Sequence, residues 1–161
     1  MIKSESHVDI SLSQLNCEDL AGMLSEVLAD TYVLYLKTQN FHWNVKGPSF
    51  PALHLLFEKQ YGELAEAVDL IAERIRALGY LAPGSFAEFL KLTALDEGDG
   101  ELPAQEMIVD LMRDHEKMAQ HVRTLIPKAE KAHDQATVDL LSGRSAAHEK
   151  AAWMLRSSSG E

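Results

Sequence analysis

Apolar side chains recur along most of the chain at steps of three and four residues, the period of one face of an α-helix. No segment alternates apolar and polar residues with the period of two that a half-buried strand would show. The clearest stripe consists of Leu53, Phe57, Tyr61, Leu64, Val68, Ile71, Ile75 and Leu78. The pattern predicts an all-α protein.

Turn and capping residues divide the first half of this pattern into two helices. Asn16, followed three residues later by Asp19, is predicted to cap the first helix. The segment 45–49 carries Gly and Pro and is predicted to break it. Pro51 suits the first turn of a second helix, and Gly79 is well placed to end that helix.

The second half carries signals for two further long helices. The third helix is predicted to open at Pro103, and Pro127 is predicted to kink or end it. The fourth is predicted to run from about Asp134 and to fade into the serines at 157–159. Gly143 lies inside this last helix and costs about 1 kcal/mol relative to alanine.

The connections between these helices suggest an architecture. Residues 80–102 form a long connection, in which a capping-box pattern predicts a short helix over 86–92. Four helices with one long middle connection have the layout of a ferritin-like bundle, although an up-down signalling bundle would share it. We expect a bundle over 16–156, with short tails at 1–15 and 157–161.

Composition narrows the class of protein. A chain of 161 residues is long enough to bury a core without a disulfide, and Cys17 is its only cysteine. No apolar run approaches the roughly 20 residues of a membrane helix, and residues 1–9 resemble no export signal, so we expect a cytoplasmic protein without membrane contact. The net charge of −10 favours cations over nucleic acid as partners.

The second helix carries the candidate chemistry. His54 and Glu58 are four residues apart and share one helix face, as do Asp69 and Glu73. The two pairs lie along nearly one line, beside the apolar stripe, so we expect the carboxylates to be partly shielded. Imidazole and carboxylate together suit iron, manganese or zinc. For a single such acid pair, a solvated helix face would be the more common explanation.

Distance along the helix predicts how these pairs combine. Their centres are about 22 Å apart at 1.5 Å per residue, so one straight helix cannot bring both pairs to one metal ion. A two-fold partner running antiparallel would place each pair opposite the other pair of its neighbour. Gly62 and Ala65 lie between the pairs and leave room for a close crossing. A metal site of this kind exists only in a dimer.

A family resemblance supports this interpretation. His42 lies in the motif Asn40-Phe41-His42-Trp43-Asn44, next to the start of the second helix, and is a third ligand candidate. Together with Tyr32 to Lys37, Gly47-Pro48, His54, Glu58, Asp69, Glu73 and the stretch His148 to Leu155, this motif resembles the signature of Dps proteins, the mini-ferritins. The resemblance covers nearly the whole chain.

The resemblance implies a specific activity. Dps proteins are hollow homododecamers of four-helix subunits that oxidise Fe(II) with hydrogen peroxide or dioxygen and store the ferric mineral inside. Carried over, His42, His54 and Glu58 of one subunit and Asp69 and Glu73 of its partner form the iron-binding ferroxidase centre. Many members have aspartate where this chain has Glu58, which changes the reach of that ligand but not its type.

Three further residues acquire candidate roles from the resemblance. Trp43 matches a tryptophan near the ferroxidase centre, as an electron donor or quencher, although simple packing would explain it equally well. Asp139 matches an acidic position that lines iron-uptake pores at three-fold axes, and Asp134 is a candidate for the pore mouth. Both acids would also be ordinary first-turn residues favoured by the helix dipole.

Alternative functions and sites rank lower. A nucleoid-associated, DNA-protecting role is the main alternative, but residues 1–9 contain only Lys3 as a basic side chain besides a histidine, and DNA binding is therefore doubtful. Glu130 and His133 form a single Glu-x-x-His motif, where an intrasubunit di-iron site needs two. We predict His115 to be a core histidine and His121 and His148 to be surface or interface residues. We assign no catalytic role to Cys17.

Overall fold

A computed structural model describes residues 3–4 and 8–159, and within them the chain is helical with no strand beyond an isolated bridge between Ser4 and Tyr80. Five helices follow one another: α1 (Gln14–Asn44), α2 (Phe50–Ala77), α3 (Phe86–Leu92), α4 (Ala104–Lys131) and α5 (Gln135–Ser158). Helices α1 and α2 pack along each other, as do α4 and α5, while α3 packs on α1. The predicted all-α bundle, with a short helix in the long connection, is confirmed. No helix among these residues is long and apolar enough to cross a membrane.

The core is built from the predicted stripes. Apolar side chains from the four long helices meet along the bundle axis and are almost fully buried; they include Leu24, Leu34, Phe41, Phe57, Leu64, Ile71, Ile75, Met107 and Leu111. Each such side chain contributes roughly 1.5–3 kcal/mol on burial, which fixes the helices relative to one another. Side chains on the opposite face of α2 are left outside this core.

Two helix boundaries differ from the prediction. Ser13 caps α1 rather than Asn16, because the Ser13 hydroxyl accepts a hydrogen bond from the Asn16 backbone N–H at 3.1 Å. Pro127 was predicted to kink or end the third long helix; it lies inside α4, which continues to Lys131, so the helix does not end at this proline. A proline removes one hydrogen bond, and tertiary packing of the flanking Leu125 and Ala129 outweighs that loss.

Other boundary signals were read correctly. Asp134 caps α5 by accepting from the backbone N–H of Thr137. Ser85 caps α3 and its hydroxyl donates to Glu88 at 2.7 Å, as the capping-box pattern predicts. Gly79 follows the end of α2 with a φ of +90°, a conformation that favours glycine.

Candidate metal centre

The turn between α1 and α2 brings His42 and His54 together. Helix α1 ends at Asn44, and Gly47 adopts a φ of +112°, which lets the chain reverse within a few residues. Helix α2 then starts at Phe50, so His42 in the last turn of α1 lies beside His54 in the first turns of α2. Their rings stack with centroids 3.7 Å apart and an interplanar angle of 18°.

The two histidines fix each other's orientation. Nδ1 of His42 donates to the backbone carbonyl of His54 at 2.8 Å, and Nδ1 of His54 donates to the backbone carbonyl of His42 at 2.9 Å. A carbonyl can only accept, so the proton of each neutral ring resides on Nδ1. Each Nε2 therefore carries a lone pair. In metal sites, a hydrogen bond from the other ring nitrogen to a backbone carbonyl fixes the tautomer and the orientation of the ligating imidazole in the same way.

Aromatic rings enclose this histidine pair. Tyr61 contacts His42 edge-on with ring centroids 5.2 Å apart, and Phe50 lies 5.0 Å from His54. His42 is buried to 7% exposure, while His54 is half-buried. Sequence reasoning assigned Tyr61 to the core stripe and gave Phe50 no role. Tyr61 lies seven residues after His54 and Phe50 lies four residues before it. Both spacings place an aromatic ring on the His54 face of α2, so the sequence could have predicted these contacts.

The three candidate ligand carboxylates of α2 lie on the open face of the helix. Glu58, Asp69 and Glu73 are all exposed in the single chain, so the expectation that they are partly shielded was wrong for the subunit alone. The reason is that the neighbouring helices cover only the apolar stripe of α2. At Gly62, a Cβ atom would meet nothing within 4 Å, so the middle of this face is also uncovered.

The single chain brings only part of the predicted ligand set together. Within residues 3–4 and 8–159, no three His, Cys, Asp or Glu side chains are close enough to hold a metal ion. His42 and His54 are adjacent, and Glu58 follows His54 by one turn on the same face. Asp69 and Glu73 lie about three turns further along α2. The pair of imidazoles with one carboxylate is a mixed N/O donor set that suits iron.

The remaining candidate residues occupy contrasting environments. Trp43 is 62% exposed beside the histidine pair and packs into no core of its own chain. Asp139 is exposed and accepts a hydrogen bond from Gln135 at 2.7 Å. Asp134 is buried, and Arg74 donates to it at 2.7 Å. Burial raises the pKa of Asp134, but the hydrogen bonds from Arg74 and Thr137 outweigh burial and lower it.

Three histidines outside this centre had predicted positions, and the structure contradicts the prediction for His148. His115 is 1% exposed, which confirms a core position. His148 was predicted to be a surface or interface residue but is fully buried within its own subunit, and its ring is hydrogen-bonded to that of His115. His121 is partly exposed, and Asp30 raises its pKa through a hydrogen bond. Glu130 and His133 are both exposed at the end of α4, and Cys17 is buried.

Comparison with known proteins agrees with this architecture. The ferritin-like domain family matches residues 21–159. DNA protection during starvation protein 2 of Bacillus anthracis is 40% identical over 134 residues, which cover 83% of this chain and 92% of that protein. The crystal structure of a Dps protein from Bacillus brevis, 34% identical, superposes with a TM-score of 0.86 and covers 89% of this chain and 96% of that one.

A third relative adds a chemical description. The Dps protein of Vibrio cholerae O1, described as a member of a broad superfamily of ferritin-like diiron-carboxylate proteins, is 28% identical with a TM-score of 0.89. That match covers 96% of this chain and 98% of the Vibrio chain. The helix order, the helix-borne histidine and carboxylate residues, and these matches lead to one conclusion: the chain belongs to the Dps family of ferritin-like proteins.

Proposed function

We propose that this protein oxidises Fe(II) and stores the ferric product, with the reaction at a ferroxidase centre on a two-fold interface. His42, His54 and Glu58 of one subunit would face the partner's Asp69 and the partner's Glu73. The observation that carries the proposal is the His42/His54 pair, whose reciprocal hydrogen bonds to backbone carbonyls leave both Nε2 lone pairs available.

The uncovered face of α2 supports an intersubunit centre. His54/Glu58 and Asp69/Glu73 are about 22 Å apart along one helix, so a single subunit cannot combine them. An antiparallel copy crossing near Gly62 would bring the pairs together twice, because a two-fold contact repeats itself. The open space at Gly62 and the exposure of Leu55 to 63% are consistent with a second copy of the chain covering this face.

The donor set suits both iron oxidation states. Neutral imidazole nitrogens bind Fe(II), and the harder carboxylate oxygens favour Fe(III), so the centre stabilises the product of oxidation. Two Fe(II) ions each give one electron to one hydrogen peroxide, which takes up two protons and leaves as two water molecules. Because both electrons arrive together, no hydroxyl radical is released. Glu58 and the partner's carboxylates would neutralise the charge that this oxidation adds.

Storage requires a closed shell and a route into it. As in the Dps family, we propose a hollow dodecamer with iron as substrate and cargo, and with acidic pores that draw Fe(II) inward. Asp139 is the better pore candidate, since its carboxylate is exposed. The Asp134 carboxylate already accepts a hydrogen bond from Arg74 and caps α5, which supports a structural role for this residue.

DNA binding ranks below iron oxidation. Relatives carry names that refer to DNA protection, but the net charge of −10 opposes association with a polyanion. A gel retardation assay at low salt separates the two functions, because a protein that protects DNA only by oxidising iron leaves the DNA band unshifted.

Subunit complementation tests the proposed centre. One variant carries His54→Ala and Glu58→Ala, and the other carries Asp69→Ala and Glu73→Ala. Each variant alone should be nearly inactive in peroxide-driven Fe(II) oxidation. A randomly assembled equal mixture should recover about a quarter of the parent rate, because half of the dimers are mixed and each mixed dimer has one intact centre.

A matched control lies on the same helix face. Glu66 is exposed on α2 between the two pairs, so Glu66→Ala alters the charge of this face without removing a proposed ligand. That variant should keep the parent rate. A mixture no more active than its two components would show that the ligands do not combine across subunits, and full activity in either pure variant would place the reaction elsewhere.

A further inference from the structure

A chain of polar groups crosses the interior of the bundle, away from the proposed iron centre. Glu63 on α2 is paired with Arg144 on α5, and the Arg144 guanidinium contacts Nε2 of His148 at 3.3 Å. Nδ1 of His148 lies 2.9 Å from Nδ1 of His115 on α4. Arg144, His148 and His115 are each at least nine-tenths buried. The polar chain thus runs from an exposed carboxylate into the core.

Burial keeps both imidazoles neutral. Desolvation lowers the pKa of His115 to about 3, and the Arg144 charge acts in the same direction. Desolvation also lowers the pKa of His148 well below its usual range, with further contributions from His115 and Arg144. At neutral pH each ring therefore carries one proton.

The hydrogen bonds then decide where each proton resides. A guanidinium can only donate, so Nε2 of His148 accepts from Arg144 and the His148 proton lies on Nδ1. That proton is donated to Nδ1 of His115. His115 must consequently carry its own proton on Nε2. This N–H is buried and has no hydrogen-bond partner among the described residues.

A second buried group nearby lacks a partner of the opposite kind. Gln60 on α2 is 6% exposed, and its Nε2 donates to the backbone carbonyl of Ala151 at 3.4 Å. This fixes the amide orientation and leaves Gln60 Oε1 as a buried acceptor without a partner among the described residues. Leaving either group unpaired costs about 1–3 kcal/mol. A single group that accepts one hydrogen bond and donates another would pair both of them.

Both residues line one cavity between α2, α4 and α5. It has a volume of about 200 Å³, and the exposed Lys59 and Lys150 mark its open side. The rest of its wall is largely apolar, with Leu56, Ala147, Ala151 and Met154, and the only further charged residue among the described residues of the lining is Glu63, which is paired with Arg144. An engineered apolar cavity of roughly 150 Å³ holds benzene, so this one is large enough for a single ring with a substituent.

We propose that this cavity binds a small neutral phenol. The phenol hydroxyl would accept from the His115 Nε2–H and donate to Gln60 Oε1, satisfying both unpaired groups at once. The ring would contact the apolar wall, including the Met154 sulfur, which packs well against aromatic rings. Arg144 is paired with Glu63, which also lines the cavity, so neither a cation nor an anion would find an unpaired charge of opposite sign at the cavity floor to offset its lost hydration.

Calorimetric titration of the assembled protein with phenol, toluene and benzoate tests this assignment. Phenol should bind more tightly than toluene, which has the same shape without the hydroxyl, and more tightly than benzoate. Gln60→Met removes the acceptor at nearly constant volume and should weaken phenol binding about tenfold while leaving toluene binding unchanged. Crystals soaked in phenol should place its oxygen within hydrogen-bond distance of His115 Nε2 and Gln60 Oε1.

Lys59→Met is the matched control at the open side of the same cavity. It should leave phenol binding unchanged, because the hydroxyl is bound at the floor rather than at the rim. The comparison of phenol with toluene on the parent protein needs no variant and stands even if Gln60→Met folds poorly. Any of three results would overturn the proposal. Phenol could bind no better than toluene, benzoate could bind most tightly, or Gln60→Met and Lys59→Met could lose phenol affinity equally.

Discussion

Among the residues that the structure describes, two pairs of histidines are in contact, and their hydrogen bonds leave different groups available in each pair. His42 and His54 each donate Nδ1–H to the other's backbone carbonyl, so both rings keep a lone pair on Nε2. His115 and His148 bond to each other directly, nitrogen to nitrogen. The first pair is oriented for binding a metal, whereas in the second pair only an N–H donor is left over.

The choice of hydrogen-bond acceptor produces this difference. A backbone carbonyl takes the Nδ1 proton without using a ring nitrogen, so two lone pairs remain for two imidazoles. An imidazole acceptor uses one lone pair, and Arg144 takes the last one in the interior pair. Contact between histidines is therefore a poor guide to metal binding unless the partner of every ring nitrogen is known.

Removing ligands from the first pair should have the largest effect. His54→Ala with Glu58→Ala should slow Fe(II) oxidation by peroxide on the order of 100-fold or more, since even outer-shell changes at metal sites cost about 10–100-fold. Assembly should persist, because neither side chain belongs to the apolar core. Stopped-flow absorbance and particle mass measure the two properties.

His115→Leu makes the corresponding change in the second histidine pair, where we expect no effect on iron oxidation. Once folded, that variant should oxidise iron at the parent rate, because His115 lies on α4 and outside the proposed ligand set. A comparable loss of oxidation in His115→Leu would mean that the two histidine pairs are functionally linked.

Acid should destabilise the protein through the second pair. The folded-state pKa of His115 is lowered to about 3, so the unfolded chain binds more protons than the folded chain between that pH and about 6.5. The contribution of His115 to the pH dependence should vanish above pH 6.5, and the free energy of unfolding should fall as the pH drops below that value. At pH 5 the loss from His115 alone should be about 2 kcal/mol. Denaturant unfolding at a series of pH values measures this slope.

The exposed His133 supplies a control for this slope. It lies at the end of α4 with a φ of +59°, which asparagine tolerates. His133→Asn should preserve the acid slope, whereas His115→Leu should flatten it. An unchanged slope in His115→Leu would show that this histidine does not become charged on unfolding.

The sequence predicted the helices well because each apolar stripe and most caps are local signals. Spacing also predicted that His54, Glu58, Asp69 and Glu73 share one face of α2, and the short connection placed His42 of α1 next to the start of α2. It did not predict the burial of His148, because Arg144 lies four residues away and makes the segment look polar. It missed the unpaired atoms of Gln60 and His115 for a similar reason: they depend on the three-dimensional contact of α2, α4 and α5.

Two acids at the start of α5, the N-cap Asp134 and Asp139 in the helix, also differ in exposure: the first is buried and the second is exposed. Asp134→Ala should destabilise the fold by about 1–2 kcal/mol, because it removes an N-cap and the partner of Arg74. Its lowered pKa means that this contribution is present above about pH 4 and is lost in stronger acid. Thermal unfolding at pH 7 and pH 3 would reveal the loss, and equal stability at pH 7 would refute the capping role.

Asp139→Asn should have the smallest effect. Its carboxylate is exposed, so stability should change little, but iron uptake at low salt should slow by about two- to threefold if Asp139 lines a pore. The salt dependence of uptake should weaken as well, and iron binding at the two-fold centre should stay unchanged. Uptake equal to that of the parent at low salt would place the route elsewhere.

The pairing of α1 with α2 and of α4 with α5 divides the subunit into two helical hairpins. All five proposed iron ligands belong to the first hairpin, while the phenol cavity takes residues from both. Contacts within each hairpin are close in sequence, which favours rapid folding of each as a cooperative unit. The five ligands thus depend on α1 and α2 alone, so substitutions in α4 and α5 away from the proposed pore residue Asp139 can reshape the α4 and α5 walls of the cavity without removing a ligand of the oxidation centre.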